Sequence, residues 1–177
     1  MVTRHAGLFL AAAVFAAIVL AGVLALETHT ASAASVRSCS GKSIELTRDE
    51  ERVLELQNHV RKRHGMRPLC VHRALQKAAR SHSADMIRED YFRHGNVGRR
   101  LKRHGYLWRD YAENIAYGSG RRGSPENVFK RWMKSREHKR NILKKSFREV
   151  GIGTATGNFK GTKGVTMYTV DFGVRRR

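Results

Sequence analysis

The sequence predicts an α+β fold in which helices come before an antiparallel sheet. Amphipathic helical patterns begin at Thr47, and two alternating strand patterns close the chain at 149–156 and 162–174. Residues 157–161 join the two strands as a hairpin loop. Helices followed by a closing hairpin are typical of α+β folds. The 177 residues, 41 % of them hydrophobic, fit one domain with a real core.

The first helix is expected to run from Thr47 to about Gly65. Thr47 is followed three residues later by Glu50, which is the pattern of a capping box. Val53 and Val60 belong to one apolar stripe at helical spacing. Gly65 then fits a C-terminal cap.

The second helix is expected from about Val71 to Arg88, and a short helix is expected over 99–103. His82 lies on the apolar face of the second helix. A histidine in such a position is more often a hydrogen-bonded core residue than a ligand, so we interpret His82 as structural.

Two further helices are predicted from their start signals. Ser124 and Pro125 supply an N-cap and a proline at the first helical position. Ser135 caps a short helix that carries His138. The preceding glycine-rich stretch, 118–123, matches neither phosphate-loop fingerprint and is interpreted as a flexible basic linker.

The first 33 residues have the pattern of a secretory signal peptide. Arg4 precedes an uncharged run over 6–26, and Ala31-Ser32-Ala33 fits a cleavage site. The alternative is an uncleaved membrane anchor, because 21 apolar residues are long enough to span a bilayer. Either way the rest of the chain is expected outside the cytoplasm. It divides into an extended segment at 34–45, a domain at 46–174 and a basic tail at 175–177.

The two cysteines, Cys39 and Cys70, both lie in the exported part. An even number of cysteines in an exported chain predicts one disulfide. Two unpaired thiols are the alternative, which an oxidising compartment disfavours.

The chain is strongly basic, with 35 Lys and Arg against 15 Asp and Glu. The leader removes one charge of each sign, so the net charge of +20 stays with the exported part. Such a surface attracts polyanions such as anionic lipid or acidic envelope polymers. No nucleic-acid-binding motif accompanies the charge, so no specific nucleic-acid partner is expected. The basic residues are scattered, with runs at 61–63, 99–100, 144–145 and 175–177.

Glu113 is the most informative single residue. It lies inside an apolar run that includes Ala112, Ile115 and Ala116. A carboxylate in such a run needs a hydrogen-bonded partner or a function.

Several stretches of the chain carry a resemblance to one protein family, and their order and spacing are more specific than any one of them. Together they resemble the CAP superfamily, also called SCP-like, and in particular its bacterial extracellular branch. This superfamily includes cysteine-rich secretory proteins, antigen 5 and pathogenesis-related group 1 proteins. The stretches are 58–61, 64–69, 78–86, 91–94, 112–116, 132–143, 150–153 and 168–173.

The resemblance implies an α-β-α sandwich with a three-stranded antiparallel sheet between helices. It also implies a surface cleft lined by histidines and acidic residues. His94 resembles the first cleft histidine and Glu113 the first cleft acid. The second acid and second histidine of eukaryotic members have no counterpart here, and His138 occupies the position that bacterial members use. Asp171 is a further candidate for a cleft residue. An equally weighted alternative is that Asp171 is a buried carboxylate whose only role is to bond to the backbone.

Three functions are compatible with this cleft. The preferred one is a secreted, monomeric binding protein for a lipid or an envelope component, because members of the family share no common catalytic activity. The second is a metal-dependent hydrolase of cell-wall material, in which His94, Glu113 and His138 hold Zn²⁺ or another divalent cation. The third is an electrostatic adhesin for anionic envelope polymers. A membrane is a partner only if the leader stays uncleaved.

Overall fold

The computed structural model describes residues 34–176, and the predicted leader lies outside these residues. The helices are α1 (Arg48–Arg63), α2 (Arg73–Arg88), α3 (Val97–Arg103), α4 (Pro125–Lys134) and α5 (Arg136–Ile142). The strands are β1 (Ala34–Arg37), β2 (Ser43–Leu46), β3 (Cys70–Val71), β4 (Trp108–Ser119), β5 (Glu149–Phe159) and β6 (Thr162–Arg175). Helices and strands are therefore mixed as the predicted α+β class requires.

The main sheet has four strands in the order β3-β5-β6-β4, which corrects the expected three-stranded antiparallel sheet. The strands β5, β6 and β4 are antiparallel neighbours, whereas β3 pairs with β5 in parallel. Strand β3 contains only two residues, so it is too short to show any periodicity in the sequence. Strands β1 and β2 form a separate two-stranded sheet over residues 34–46.

Helices cover both faces of the main sheet, and alternation along the strands assigns each side chain to a face. One face packs against α1, α4 and α5 in a core that includes Val53, Trp132 and Val170. The other face packs against α2 and α3 through two smaller clusters that include Met86 and Leu101. This sandwich leaves β4 at one edge of the sheet.

The helix starts predicted from the sequence are confirmed. Thr47 forms the capping box with Glu50, and Ser124 caps α4 with Pro125 at its beginning. The predicted start of the second helix, at about Val71, was wrong in detail. Helix α2 begins at Arg73 because Cys70 and Val71 pair with β5 in the sheet.

The stretch 118–123 is not a flexible linker. Strand β4 continues to Ser119, and a 3-10 helix follows over Gly120–Gly123. Gly118 and Gly123 lie so close together that a Cβ on either would overlap the backbone of the other segment. Glycine therefore serves close backbone packing here.

Glycines also allow α2 to lie directly on β5. A Cβ added at Gly151 would overlap the backbone of Leu75, and one at Gly153 would overlap the backbone of Ala79. This contact fixes the distance between α2 and the sheet, and it therefore fixes the position of every side chain that α2 presents to the site.

Side chains from the two following helices satisfy the outer carbonyl groups of the edge strand β4. Asn141 donates to the carbonyl of Glu113 at 3.4 Å, and Trp132 donates to the carbonyl of Ile115 at 3.1 Å. Arg131 donates to the carbonyl of Tyr117 at 2.9 Å. An unpaired edge invites pairing with another chain, and these three donors block that pairing.

The predicted disulfide between Cys39 and Cys70 is confirmed, with the two Cα atoms 5.1 Å apart. It joins the loop after β1 to β3. Replacing both cysteines by alanine is expected to lower the free energy of unfolding by ~3–4 kcal/mol, because the bridge closes a 31-residue separation in the unfolded chain. Urea unfolding of the oxidised wild type and the double variant measures this difference. Ser40→Ala, in the same loop, is the control and should change little.

Candidate functional site

Glu113 lies in the middle of β4, directly opposite Asp171 of β6 in the sheet register. Both side chains point to the face that α2 and α3 cover. The side chain of Glu113 is 1 % exposed and that of Asp171 is fully buried. Two adjacent buried carboxylates are costly unless cations or protons balance them.

Two donors hold the Glu113 carboxylate. His94 Nδ1 donates to Oε1 at 2.7 Å, and an Arg100 Nη2 atom donates to Oε2. Arg100 also donates to the backbone carbonyl of His94 at 3.1 Å, so it fixes the loop that carries the imidazole. The side chain of His94 is 51 % exposed, whereas that of Arg100 is 6 % exposed. The site thus presents one histidine to solvent above a buried ion pair.

Arg100 is the site residue that sequence reasoning missed. It lies in the predicted short helix 99–103, and it was counted there with the surface charge. One signal in the sequence pointed to such a residue, because the Glu113 carboxylate lies in an apolar run and requires a buried partner. That signal does not say which residue the partner is. Choosing Arg100 over its neighbour Arg99, which is exposed, requires the position of α3 on the sheet.

Asp171 lacks the backbone hydrogen bonds that one interpretation gave it. Its two carboxylate oxygens are buried and have no hydrogen-bond partner among residues 34–176. The nearest cation is Arg100, whose Nη2 lies 3.8 Å from Oδ1. Burial, and then the negative charge of Glu113, raise the pKa of Asp171 well above its usual range. The acid is therefore part of the cluster around Glu113 and not a surface ligand.

The pKa of His94 is also raised, first by its hydrogen bond to Glu113. Both shifts favour the protonated form, and Glu113 contributes to each, because Arg100 supplies one positive charge against two carboxylates. The remaining negative charge is neutralised either by a proton on Asp171 or by a proton on His94. The cluster therefore favours one bound proton beside Glu113.

His82 is buried as predicted, and it also borders the site. Its Nε2 donates to the carbonyl of Arg93 at 3.0 Å and lies 3.9 Å from Glu113 Oε1. Because a carbonyl only accepts, the ring nitrogen at this position carries the proton. Burial lowers the pKa of His82, so the ring is neutral and supports the loop that leads to His94.

His138 reaches the same edge of the sheet from the other layer. Asn114, whose side chain points away from Glu113 across the sheet, donates to the carbonyl of His138 at 3.1 Å. The ring Nδ1 of His138 is buried without a hydrogen-bond partner among the described residues. Burial, and then the charge of His94, lower the pKa of His138. The structure thus brings His94 and Glu113 into direct contact, whereas no hydrogen bond joins the His138 ring to them.

The family follows from sequence comparison. Residues 54–172 match the family model CAP, described as the cysteine-rich secretory protein family. This chain belongs to the CAP family. The resemblance seen in the sequence is thereby confirmed.

Bacterial proteins are among the relatives of this CAP domain. The uncharacterised protein YkwD of Bacillus subtilis is 38 % identical over 109 residues, which cover 59 % of this chain and 41 % of YkwD. An extracellular protein containing an SCP domain from Bacillus anthracis is 26 % identical, with a TM-score of 0.61, over 72 % of this chain and 40 % of that one. A cysteine-rich secretory protein of Staphylococcus aureus shares the fold, with 19 % identity and a TM-score of 0.55 over 73 % of this chain and 41 % of that one.

The chain spans about two fifths of the length of these three relatives. Within residues 34–176, no helix of the CAP domain combines the length and the apolar composition that crossing a membrane requires.

The predicted metal centre of His94, Glu113 and His138 is not a preformed set of ligands in the CAP site. Among the residues that the structure describes, no group of three or more His, Cys, Asp or Glu side chains is arranged to hold a metal ion. Each oxygen of Glu113 already accepts a hydrogen bond, one from His94 and the other from the cation Arg100. No chemistry of this CAP domain is therefore derived through a metal.

The ion pair between His94 and Glu113 predicts a pH-dependent stability. Because the folded pKa of His94 is raised, its contribution is fully present below the unfolded value of about 6.5 and is lost as the pH rises through the folded value. We expect His94→Gln to destabilise the domain most near pH 5.5, by less than about 1 kcal/mol since half of the side chain is exposed.

Urea unfolding of wild type and His94→Gln between about pH 5.5 and pH 9 measures this difference. The exposed residue His59 on α1 provides the control variant His59→Gln. A difference for His94→Gln that grows with rising pH would contradict the direction of the pKa shift.

Proposed function

We propose that this chain is a secreted CAP-domain protein that binds an acceptor-bearing ligand of the cell envelope at His94. The observation that carries the proposal is the contact between a half-exposed imidazole and a buried carboxylate at 2.7 Å. Glu113 accepts from Nδ1, so the ring is held in one orientation. The other ring nitrogen, Nε2, is then left for a ligand, since about half of the side chain is exposed.

The electrostatics of the cleft favour a ligand with an anionic or carbonyl oxygen. The carboxylate of Glu113 stabilises a protonated imidazole, which donates a charge-assisted hydrogen bond through Nε2. The net charge of +20 attracts acidic ligands toward the domain before contact. Secretion is supported by the leader pattern at 1–33 and by the extracellular relative from Bacillus anthracis.

A preorganised site supports binding without requiring catalysis. Arg100 holds the Glu113 carboxylate, and Arg100 and His82 hold the loop of His94 through its backbone carbonyls. Ligand binding therefore costs little free energy for ordering these groups. Metal-dependent hydrolysis is not proposed, because the described residues contain no preformed set of three metal ligands.

Binding of the purified protein to isolated envelope fractions tests the proposal. Wild type, His94→Ala and the control His59→Ala are incubated with each fraction, and the bound protein is measured after sedimentation. We expect His94→Ala to lose most of the specific binding, while His59→Ala retains it and both variants keep the wild-type circular dichroism spectrum. Unchanged binding by His94→Ala would refute the proposal. Release of soluble fragments by wild type but not by His94→Ala would replace it with catalysis.

A further inference from the structure

A second surface lies further along β4 from the site of His94 and Glu113. It consists of two grooves of about 420 Å³ and about 320 Å³ that share Arg122 and Arg131. Tyr117, which lines the larger groove, is four residues from Glu113 along β4, a distance of about 13 Å in a strand. We call the two grooves together the basic groove.

The basic groove carries many positive charges, and no carboxylate is among its lining residues. In the described part of the chain, none of its cations forms an ion pair. Some exposed cations elsewhere on the domain, such as Arg52 and Arg88, are paired with acids, whereas others within residues 34–176, such as Lys62 and Arg63, are not, so the groove is distinguished by the clustering of its cations. The cations of the groove are Arg121, Arg122, Lys130, Arg131, Lys134 and Lys160.

Arg131 is the fixed element of the groove. Its Nη2 donates to the carbonyls of Tyr117 at 2.9 Å and Arg122 at 3.3 Å, and its buried Nε has no partner among residues 34–176. Burial, and then the charge of Arg122, lower the pKa of Arg131. An arginine held beside another arginine, without an acid, is stabilised when an external anion binds between them.

Aromatic rings form one wall of the larger groove. Tyr117 packs edge to face against Phe159, with the ring centroids 5.0 Å apart, and against Phe92 at 4.8 Å. Tyr117 is 39 % exposed, so part of its apolar surface remains open to the groove. This wall suits the carbon skeleton of a sugar or polyol placed beside its anionic group.

We propose that the basic groove binds a linear polyanion whose sugar or polyol units are joined by phosphodiesters. Two grooves on either side of a shared arginine pair fit anionic groups that repeat along a chain better than they fit one isolated headgroup. The cations of the groove include both arginine guanidinium groups and lysine ammonium groups. This mixture suits the divergent oxygens of a tetrahedral phosphate better than a planar carboxylate.

The observations favour this partner over a membrane and over nucleic acid. Leu107, the most exposed large apolar residue of the described chain, adjoins the other end of β4, so the groove has no aliphatic residue placed to insert into lipid. The ring of Tyr117 is engaged by two other aromatic rings, so it is a poor platform for stacking unpaired bases.

The test measures fluorescence anisotropy of a labelled oligomer of glycerol phosphate at about 50 mM and about 200 mM salt. The test variant Arg122→Gln/Lys134→Gln removes two exposed groove charges. The control Lys62→Gln/Arg63→Gln removes two exposed charges at the end of α1. We expect the test variant to bind about tenfold more weakly and with a smaller salt dependence, and the control to match wild type. The two groove substitutions should weaken binding by the same factor in a His94→Ala background, which separates this site from the site at His94.

Three results would overturn the proposal. Equal losses in the test and control variants would mean diffuse attraction to the whole surface. Phosphatidylglycerol vesicles, or oligothymidylate of equal charge, could bind more strongly than the glycerol phosphate oligomer. If that binding also falls with the same two substitutions, the groove belongs to another partner. Stronger binding to oligogalacturonate would replace the phosphodiester with a carboxylate.

Discussion

Replacing Arg100 by methionine is expected to lower the free energy of unfolding by about 3–5 kcal/mol. The side chain is 6 % exposed, and its guanidinium bonds Glu113 and lies 3.8 Å from Asp171. Methionine keeps much of the packing volume but removes the guanidinium charge that is buried with these two carboxylates. The two acids then remain in the interior without this partner, which costs far more than the loss of a surface ion pair.

The pH dependence separates this cause from a packing defect. The pKa of Asp171 is raised, and its protonation removes a negative charge that Arg100 balances, so the deficit of Arg100→Met should shrink as the pH falls from about 8 to about 5. Chemical unfolding at several pH values measures it. Arg99→Met, the exposed neighbour on α3, is the matched control and should stay near wild type. A deficit that does not change with pH would show that volume, and not charge, is what Arg100 contributes.

Arg61→Met is expected to be destabilising to a similar extent, by about 3–5 kcal/mol. Arg61 is fully buried near the end of α1. Its guanidinium donates to four backbone carbonyls, those of Arg67 at 3.0 Å, Ile142 at 2.8 Å, Lys144 at 3.2 Å and Phe147 at 2.8 Å. Methionine fills part of the space but leaves these acceptors buried without donors.

The consequence extends to the site, because three of these carbonyls belong to the end of α5 and to the segment that joins it to β5. Thermal and urea unfolding measure the loss, and Arg63→Met, exposed on the same helix, is the control. We also expect faster amide hydrogen exchange over 142–147 in Arg61→Met than in Arg63→Met. Equal stability of the two variants would mean that water replaces the guanidinium at these carbonyls without cost.

The candidate site illustrates how far sequence reasoning reaches. The apolar context of Glu113 indicated a buried carboxylate, and the contact with His94 agrees with the grouping that the family resemblance suggested. The resemblance could not supply Arg100, because its role depends on which side of α3 faces the sheet. It also grouped His138 with the other two; Asn114 of β4 donates to the carbonyl of His138, and a shared site for the three side chains stays a prediction.

The sequence by itself determined the features that depend on neighbours along the chain. The helix caps at Thr47 and Ser124 depend on three or four consecutive residues. The strands β5 and β6 are recognised from side-chain types that alternate at every second residue. The single disulfide follows from a count of two cysteines in an exported chain.

Only the tertiary structure decided which charged residues are buried. Arg61 and Arg100 each stand in a basic run, and nothing local separates them from the exposed Arg63 and Arg99. What separates them is contact with partners that are distant in the chain, up to 86 positions away for Arg61 and Phe147. The energy of a buried charge depends on these three-dimensional neighbours and on the exclusion of water, and neither leaves a periodic signal in the sequence.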